Sequence, residues 1–121
     1  MRLLQHLVLA LMLSLSCALG WARHADGGGA LGTVDVAELP TEARQTLRLI
    51  DQGGPFPVPR DGIVFGNYER RLPGRQRGYY REYTVPTPGL RSRGARRLIA
   101  GDRGERYYTG DHYQTFQRVR E

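Results

Sequence analysis

A glutamate and a histidine in the second half of this sequence are suited to acid–base chemistry. Glu82 lies in YYREYTV, a segment rich in aromatic and β-branched residues, and His112 lies in GDHY. A carboxylate and an imidazole can divide the work of general base and general acid near neutral pH. Either residue alone has a commoner explanation, because a strand glutamate usually faces solvent and a single histidine is usually structural or exposed.

Arginines lie close to this pair in the sequence. Arg93, Arg96 and Arg97 belong to RSRGARR, and they would lie near Glu82 if this segment pairs with the YYREYTV strand. Guanidinium groups bind phosphate and stabilise charge that grows on it in a transition state. Such a cluster is more often a solvated basic face. Together with Glu82 and His112 it forms a set that could cleave a phosphodiester.

This chemistry needs no metal ion if the substrate is RNA. A phosphodiester with an adjacent 2′-hydroxyl carries its own nucleophile, and that hydroxyl distinguishes RNA from DNA. The sequence also offers few metal ligands, since Cys17 is the only cysteine and the other histidines are His6 and His24. We therefore predict neither a metal site nor a cofactor.

The segment FGNYE is a candidate base-binding loop. Gly66 and Asn67 are typical of a turn, and Phe65 and Tyr68 flank them. Single-stranded RNA is read by stacking a base on aromatic rings and bonding to its edge. Glu69 is an acceptor-only group when ionised, and backbone N–H groups of the turn are donors, so this loop could bond to the edge of a base. The alternative is a surface turn with incidental aromatics.

The charge balance favours an anionic partner. All 18 basic residues are arginine, against 12 acidic residues, which gives a net charge of +6. Genomic base composition could explain the absence of lysine. The positive charge nevertheless suits nucleic acid, anionic lipid or an acidic protein.

The N-terminus is typical of a secretory signal peptide over residues 1–22. Arg2 precedes an apolar run, residues 7–19, and small residues follow it. The alternative is a retained single-helix anchor, but this run is shorter than the ~20 apolar residues of a membrane span. A lipoprotein site at Cys17 is a weaker alternative, because Ser14 stands where such sites usually have leucine.

Two further segments follow the signal peptide. Residues 23–33 contain a glycine triplet and are predicted to be a flexible leader. Residues 34–121 are predicted to form one small domain. The only cysteine would leave with the signal peptide, so this domain must rely on its core and not on a disulfide.

One helix and several strands are predicted to carry the candidate residues. Apolar residues at helical spacing, closed by Gly53 and Gly54, predict a helix over 40–51. The proline-rich stretch 55–62 is predicted to be a loop. Strands are predicted over 79–85, 95–101, 105–110 and 113–119. This order favours an α+β fold, with the helix packed on one face of an antiparallel sheet.

Five motifs occur in order and close together: GPFP, DGIVFGNYE, YYREYTVPTPG, RSRGARR and YYTGDHY. Their combination resembles the bacterial guanyl-specific ribonucleases, the microbial family that includes barnase and the small Streptomyces enzymes. The resemblance covers residues 34–121. It implies a microbial ribonuclease fold, with a twisted antiparallel sheet. It also implies a secreted endoribonuclease that cleaves single-stranded RNA after G, first to a 2′,3′-cyclic phosphate and then to a 3′-phosphate.

The resemblance also implies a role for each candidate. Glu82 would be the general base, His112 the general acid, and Arg93 and Arg97 the phosphate-binding arginines. Tyr113 would contact the phosphate, and the FGNYE loop would bind guanine. The chain departs from the Streptomyces enzymes in two ways: it lacks their terminal disulfide, and it has tyrosine within FGNYE where they often have arginine.

The partner expected from these considerations is single-stranded RNA, with a small acidic, barstar-like inhibitor as a second partner of the basic cleft. We expect a monomer without stable membrane association. The rival interpretation is a non-catalytic cationic module that binds RNA or surfaces through charge alone. It explains the arginines but leaves Glu69, Glu82 and His112 without a role.

Overall fold

A six-stranded sheet with one helix on one of its faces forms residues 31–121, the part of the chain that the computed structural model describes. The predicted signal peptide, residues 1–22, lies outside the described residues, as does most of the predicted leader. No helix in the described part is long and apolar enough to cross a membrane.

The elements follow the chain as a short 3-10 turn, one helix and six strands. The strands are β1 (Gly32–Asp35), β2 (Ile63–Phe65), β3 (Tyr80–Thr84), β4 (Arg97–Gly101), β5 (Arg106–Thr109) and β6 (Gln117–Arg120); the 3-10 turn is Val36–Glu38, and the helix, α1, is Thr41–Gln52. Their order across the sheet is β1-β6-β5-β4-β3-β2.

The sheet is mixed, which corrects the prediction of an antiparallel sheet. Strands β2 to β6 pair antiparallel with their neighbours, but β1 pairs parallel with β6. The parallel pair arises because the chain enters at one sheet edge and its last strand returns beside it in the same direction. The α+β class is confirmed. Strand β1 begins at Gly32, within the segment predicted to be leader, so the folded part starts earlier than expected.

Helix α1 forms where its apolar periodicity predicts it, within one residue at each end. Ala43 and Leu47, one turn apart, are buried against the sheet. The helix ends at Gly53, which adopts the left-handed conformation at φ 79° that glycine tolerates. The N–H of Gly54 then donates to the carbonyl of Leu49 at 2.9 Å, which closes the helix end.

Alternation along the strands gives the sheet two different faces. The helix face carries an apolar core of Leu39, Ala43, Leu47, Val85, Leu98 and Val119. The opposite face carries a more aromatic core of Leu72, Tyr80, Ile99, Tyr107 and Phe116. Glu82 and Thr84 follow Tyr80 on this second face at every other position. The candidate residues therefore lie beside the aromatic core, on the face away from the helix.

The loop predicted over 55–62 is confirmed. The four predicted strands are present, but each is shorter than predicted. The last strand begins only at Gln117, because His112 and Tyr113 have φ of 56° and 70° and so cannot continue an extended strand. Strands β1 and β2, of 4 and 3 residues, were not predicted.

Candidate active site

Glu82, the predicted general base, and Arg97, a predicted phosphate-binding arginine, lie on neighbouring strands. In the β3–β4 register Glu82 pairs with Ile99, and Arg97 pairs with Thr84, so both side chains point from the same face. Glu82 and Arg97 are 8% and 3% exposed. A carboxylate and a guanidinium this buried require partners, because an unpaired charge is costly to remove from water.

Arg93 reaches Glu82 from the loop between these strands. Its Nη2 donates to Glu82 Oε1 at 3.3 Å, and its Nε donates to Thr84 Oγ1 at 2.7 Å. The loop is closed at its base by Val85, whose N–H donates to the carbonyl of Arg96 at 3.1 Å. The same Arg96 carbonyl also accepts from Arg97 Nη1 at 2.7 Å. Arg96 therefore takes part in this cluster through its backbone.

Tyr113 joins the candidate base to the second arginine. Its hydroxyl donates to Glu82 Oε1 at 3.1 Å and accepts from Arg97 Nε at 3.2 Å. Burial and, next, the negative charge of Glu82 raise the pKa of the Tyr113 phenol, although Arg97 opposes the shift. The phenol therefore stays a neutral donor, and one oxygen orders both the carboxylate and the guanidinium.

The turn that carries His112 is built by the preceding aspartate. Asp111 Oδ1 accepts from Thr109 Oγ1 and from the N–H of Thr115, both at 2.9 Å, and Asp111 Oδ2 accepts from Thr115 Oγ1 at 2.6 Å. The bonds to Thr115 are the main reason that the pKa of Asp111 is lowered to about 2. The N–H of His112 donates to the carbonyl of Ala95 at 3.1 Å. These contacts hold His112, which is exposed, beside the ring of Tyr113.

The FGNYE loop is closed by its asparagine. Asn67 Nδ2 donates to the carbonyl of Leu72 at 2.9 Å, and Asn67 Oδ1 accepts from the N–H of Leu72 at 3.1 Å. Leu72 is buried in the aromatic core, which fixes the base of the loop to the domain. Asn67 and Arg70 have positive φ of 52° and 54°, so the backbone turns tightly and presents its intervening side chains at the surface.

A small pocket of about 120 Å³ opens between this loop and the His112 turn; its lining comprises Phe65, Asn67, Tyr68, Glu69, Arg71, Tyr113 and Phe116. It is smaller than the ~300–1,000 Å³ of drug-sized ligand sites and suits a single planar group. Phe65 stacks on Tyr113, with ring centroids 5.5 Å apart. Tyr113 therefore borders both this pocket and the pair formed by Glu82 and Arg97.

Tyr68 forms the outer wall of the pocket. Its side chain is 79% exposed, and its hydroxyl accepts from Arg77 Nη1 at 2.6 Å. The ring lies over Gly66, so a side chain at position 66 would force this exposed ring to move. Tyrosine at position 68 and glycine at position 66 therefore fit as a pair.

Glu69 lies on the pocket wall, as the loop hypothesis requires, but with a partner that sequence reasoning missed. Its carboxylate forms an ion pair with Arg71 Nη1, and the same nitrogen donates to the carbonyl of Tyr113 at 3.2 Å. Asp111, as the builder of the His112 turn, was missed as well. The motif GDHY gave a signal for Asp111, whereas nothing local in the sequence connects Arg71 with Tyr113.

The structure thus brings the predicted residues into two adjoining groups. Glu82, Arg93, Arg97 and Tyr113 form one through direct hydrogen bonds, and the FGNYE loop forms the other. His112 lies at their edge on its turn. Within residues 31–121, no three His, Cys, Asp or Glu side chains are grouped so that they could hold a metal ion.

A family model described as ribonuclease matches residues 22–120 of the chain. Guanyl-specific ribonuclease Sa of Kitasatospora aureofaciens is 56% identical over 89 residues, which is 73% of this chain and 93% of that protein. Guanyl-specific ribonuclease Sa3 of the same organism is 56% identical over 91 residues, or 74% of this chain, but the chain spans only 64% of the length of Sa3. Guanyl-specific ribonuclease St of Saccharopolyspora erythraea is 55% identical over 84 residues, 69% of this chain and 83% of that protein.

Solved structures give the same result for the fold. Ribonuclease Sa2 crystallised with guanosine-2′-cyclophosphate matches with a TM-score of 0.73 at 50% identity, over 75% of this chain and 97% of that one. Ribonuclease Sa2 in complexes with mononucleotides matches with a TM-score of 0.75 at 50% identity, over 76% and 96% of the two chains.

Proposed function

Because the chain belongs to the bacterial guanyl-specific ribonuclease family, we propose that it is an endoribonuclease that cleaves single-stranded RNA after guanosine. One observation carries the proposal: a buried carboxylate, Glu82, held by Arg93 and Tyr113, adjoins a base-sized pocket with a second carboxylate, Glu69, on its wall. The first carboxylate can accept a proton beside a phosphate, and the second can select the base.

The first step is an internal transfer. Glu82 accepts the proton of the 2′-hydroxyl, and the 2′-oxygen forms a bond to phosphorus. The bond from phosphorus to the 5′-oxygen breaks, and His112, as imidazolium, protonates that oxygen. The products are a 2′,3′-cyclic phosphate and a free 5′-hydroxyl. Arg93 and Arg97 stabilise the negative charge that grows on the phosphoryl oxygens.

The second step opens the cyclic phosphate with water. His112, now neutral, accepts a proton from the water as its oxygen attacks phosphorus, and the protonated Glu82 returns its proton to the departing 2′-oxygen. A 3′-phosphate results, and both residues recover their starting states. Two different titratable groups suit this exchange because each is needed once as acid and once as base.

Base selection rests on the edge that guanine presents. Its ring N–H and amine are adjacent donors, and Glu69 is an acceptor-only group on the pocket wall when ionised. Phe65 and Tyr68 supply aromatic surface for stacking. Glu69→Ala should lower cleavage after G far more than it alters the fold, because a site that bonds a substrate donor pair can discriminate between bases by ~10⁴-fold or more. Sequencing the cut ends of a mixed RNA measures this loss; equal cutting after A and G by the wild type would contradict guanine selection.

Cleavage is proposed to be independent of metal ions, since the 2′-hydroxyl supplies the nucleophile. The purified protein should cleave RNA to completion in excess EDTA. Glu82→Gln should abolish this cleavage, whereas Glu38→Gln, an exposed carboxylate on the 3-10 turn, should leave it unchanged. Binding of RNA without cleavage would support the rival cationic module.

The setting of the enzyme is also proposed. The signal-like pattern of residues 1–22 supports secretion and action outside the cell. The enzyme is proposed to act as a monomer. The net charge of +6 suits a small acidic protein as an inhibitor. Mass spectrometry of the protein from culture medium should find an N-terminus that follows the signal peptide. A full-length chain in the cell fraction would contradict secretion.

A further inference from the structure

Arg71 connects the base loop with the turn that carries the general acid. A single nitrogen, Nη1, pairs with the Glu69 carboxylate and also donates to the carbonyl of Tyr113 at 3.2 Å. The Arg71 side chain is 34% exposed, and that of Glu69 is 68% exposed. Arg71 is therefore the more buried partner, and Glu69 contacts it from the solvent side.

The loop directs neighbouring arginines to different places. Glu69 and Arg71 line the base pocket, two residues apart, whereas Arg70 lines a separate groove on the other side of the loop. The paired bonds between Asn67 and Leu72 fix the loop on both sides of this segment. These bonds fix the backbone from which both Glu69 and Arg71 extend, so the loop places the two side chains next to each other.

This ion pair has a consequence for base binding. A solvent-exposed glutamate samples many rotamers, and a base that enters must fix one of them and remove water from the carboxylate. A guanidinium that already holds one carboxylate oxygen reduces both costs, because the orientation is set and the charge stays paired. Arg71 holds Glu69 Oε2, and because each carboxylate oxygen has two lone pairs, both oxygens can still accept from the donor pair of guanine.

We propose that Arg71 is a positioning residue for guanine specificity. It orients Glu69 toward the base and ties the base loop to the turn that holds His112 and Tyr113. The proposal rests on the function proposed above. Because Arg71 acts through Glu69, its loss should weaken the cleavage of substrates that contain guanine and leave other substrates little changed.

The test compares Arg71→Met with Arg70→Met, a matched change of the same charge in the same loop. The substrates are the dinucleotides GpC and ApC, and the measured quantity is kcat/KM. Loss of a hydrogen bond to a charged group corresponds to about 10- to 100-fold. Arg71→Met should lower kcat/KM by that factor on GpC and only slightly on ApC. Arg70→Met should lower kcat/KM equally on both substrates, because it removes only a positive charge near the site.

A double-mutant cycle shows whether Arg71 acts through Glu69. In a Glu69→Gln background, Arg71→Met should change kcat/KM for GpC by less than about 3-fold, because the carboxylate that it orients is gone. Arg71→Lys should recover part of the loss, since an ammonium group can donate to both oxygens.

Two results would overturn the inference: equal losses on GpC and ApC, or the same loss with and without Glu69. Either would make Arg71 a structural or purely electrostatic residue. Failure of the proposed function has a different signature, because then the wild-type enzyme itself would not prefer GpC to ApC.

Discussion

Tyr113 belongs both to the proposed base pocket and to the proposed phosphate site around Glu82 and Arg97. Its ring stacks on Phe65, and its hydroxyl bridges Glu82 and Arg97. A base bound in the pocket would therefore contact the residue that also bonds to Glu82, the proposed general base. Base recognition and phosphate chemistry would share this one side chain.

The roles of Glu82 and His112 can be separated by the leaving group. A 5′-alcohol is a poor leaving group and needs a proton, whereas a nitrophenol does not. His112→Ala should lose ~10²–10⁴-fold on a guanosine dinucleotide but much less on guanosine 3′-(nitrophenyl phosphate). Glu82→Ala should lose activity on both, because the 2′-hydroxyl must be deprotonated in each case. Rescue of Glu82→Ala by the activated substrate, in place of His112→Ala, would show that the roles are reversed.

The chemical types of the site residues were open to sequence reasoning, but their contacts were only partly so. Glu82 and Arg97 could be placed together because strand pairing brings neighbouring motifs side by side. The link from Arg71 to Tyr113 joins residues 42 apart in two loops. No periodicity specifies such a contact, since loops follow no repeating geometry.

At the scale of elements, the turn over residues 109–115 depends on one carboxylate. Because the lowered pKa of Asp111, about 2, lies below the ordinary 3.8, the folded state favours its ionised form. The stabilisation is fully present above pH 3.8 and disappears as the pH falls through 2. The stability difference between wild type and Asp111→Ala should therefore be constant from pH 5 to 7, fall as the pH drops from about 4 to 2, and be smallest below pH 2.

Urea unfolding across that pH range measures this difference. Asp111→Ala should also lower kcat at pH 7 by roughly 10-fold, which is less than the ~10²–10⁴-fold of general acid catalysis, because His112 keeps its imidazole but loses its fixed turn. Asp102→Ala, at an exposed turn between β4 and β5, serves as the control. A stability difference that persists unchanged at pH 2 would show that Asp111 acts without its charge.

Strand β4 offers a matched test of the two faces of the sheet. Leu98 and Ile99 are adjacent and both fully buried, but Leu98 packs in the helix-face core and Ile99 in the aromatic core beside the site. Either change to alanine should cost ~2–5 kcal/mol of unfolding free energy. At a temperature where both variants stay folded, Leu98→Ala should retain activity and Ile99→Ala should lose several-fold. Equal activities would show that the aromatic core does not position Glu82.

Helix α1 was predictable to within one residue because its boundaries are local: an apolar repeat and a glycine pair. Strands β1 and β2 were not, because each is short and gains its hydrogen bonds from residues far along the chain. The start of β6 was predicted too early because left-handed residues at 112 and 113 cannot be read from composition. Local signals define the helix, and non-local pairing defines the sheet edges.

At the scale of the whole molecule, the two ends of the domain are joined without a covalent bond. Strand β1 pairs with β6, and Arg120 Nε donates to Asp35 Oδ1 at 2.9 Å. Both side chains are about half exposed, at 62% and 48%. An exposed pair of this kind contributes only ~0–1 kcal/mol, so the pairing of the edge strands carries most of the connection.

A disulfide in place of this ion pair should stabilise the enzyme. Asp35 and Arg120 are partners in the β1–β6 register, and neighbouring strands fall within the Cα separation that a disulfide spans. The bridge would close a long loop, which the chain-entropy model values at ~4 kcal/mol and which measured variants often reach only in part. Asp35→Cys/Arg120→Cys, made with Cys17→Ser, should therefore raise the unfolding free energy by about 2–4 kcal/mol.

Denaturant unfolding with and without reductant isolates the effect, since the reduced double variant is its own control. The gain should disappear on reduction, while the wild-type midpoint should not respond to reductant. An oxidised variant no more stable than its reduced form would mean that the strand edge is already fixed in the unfolded ensemble or distorted by the bridge.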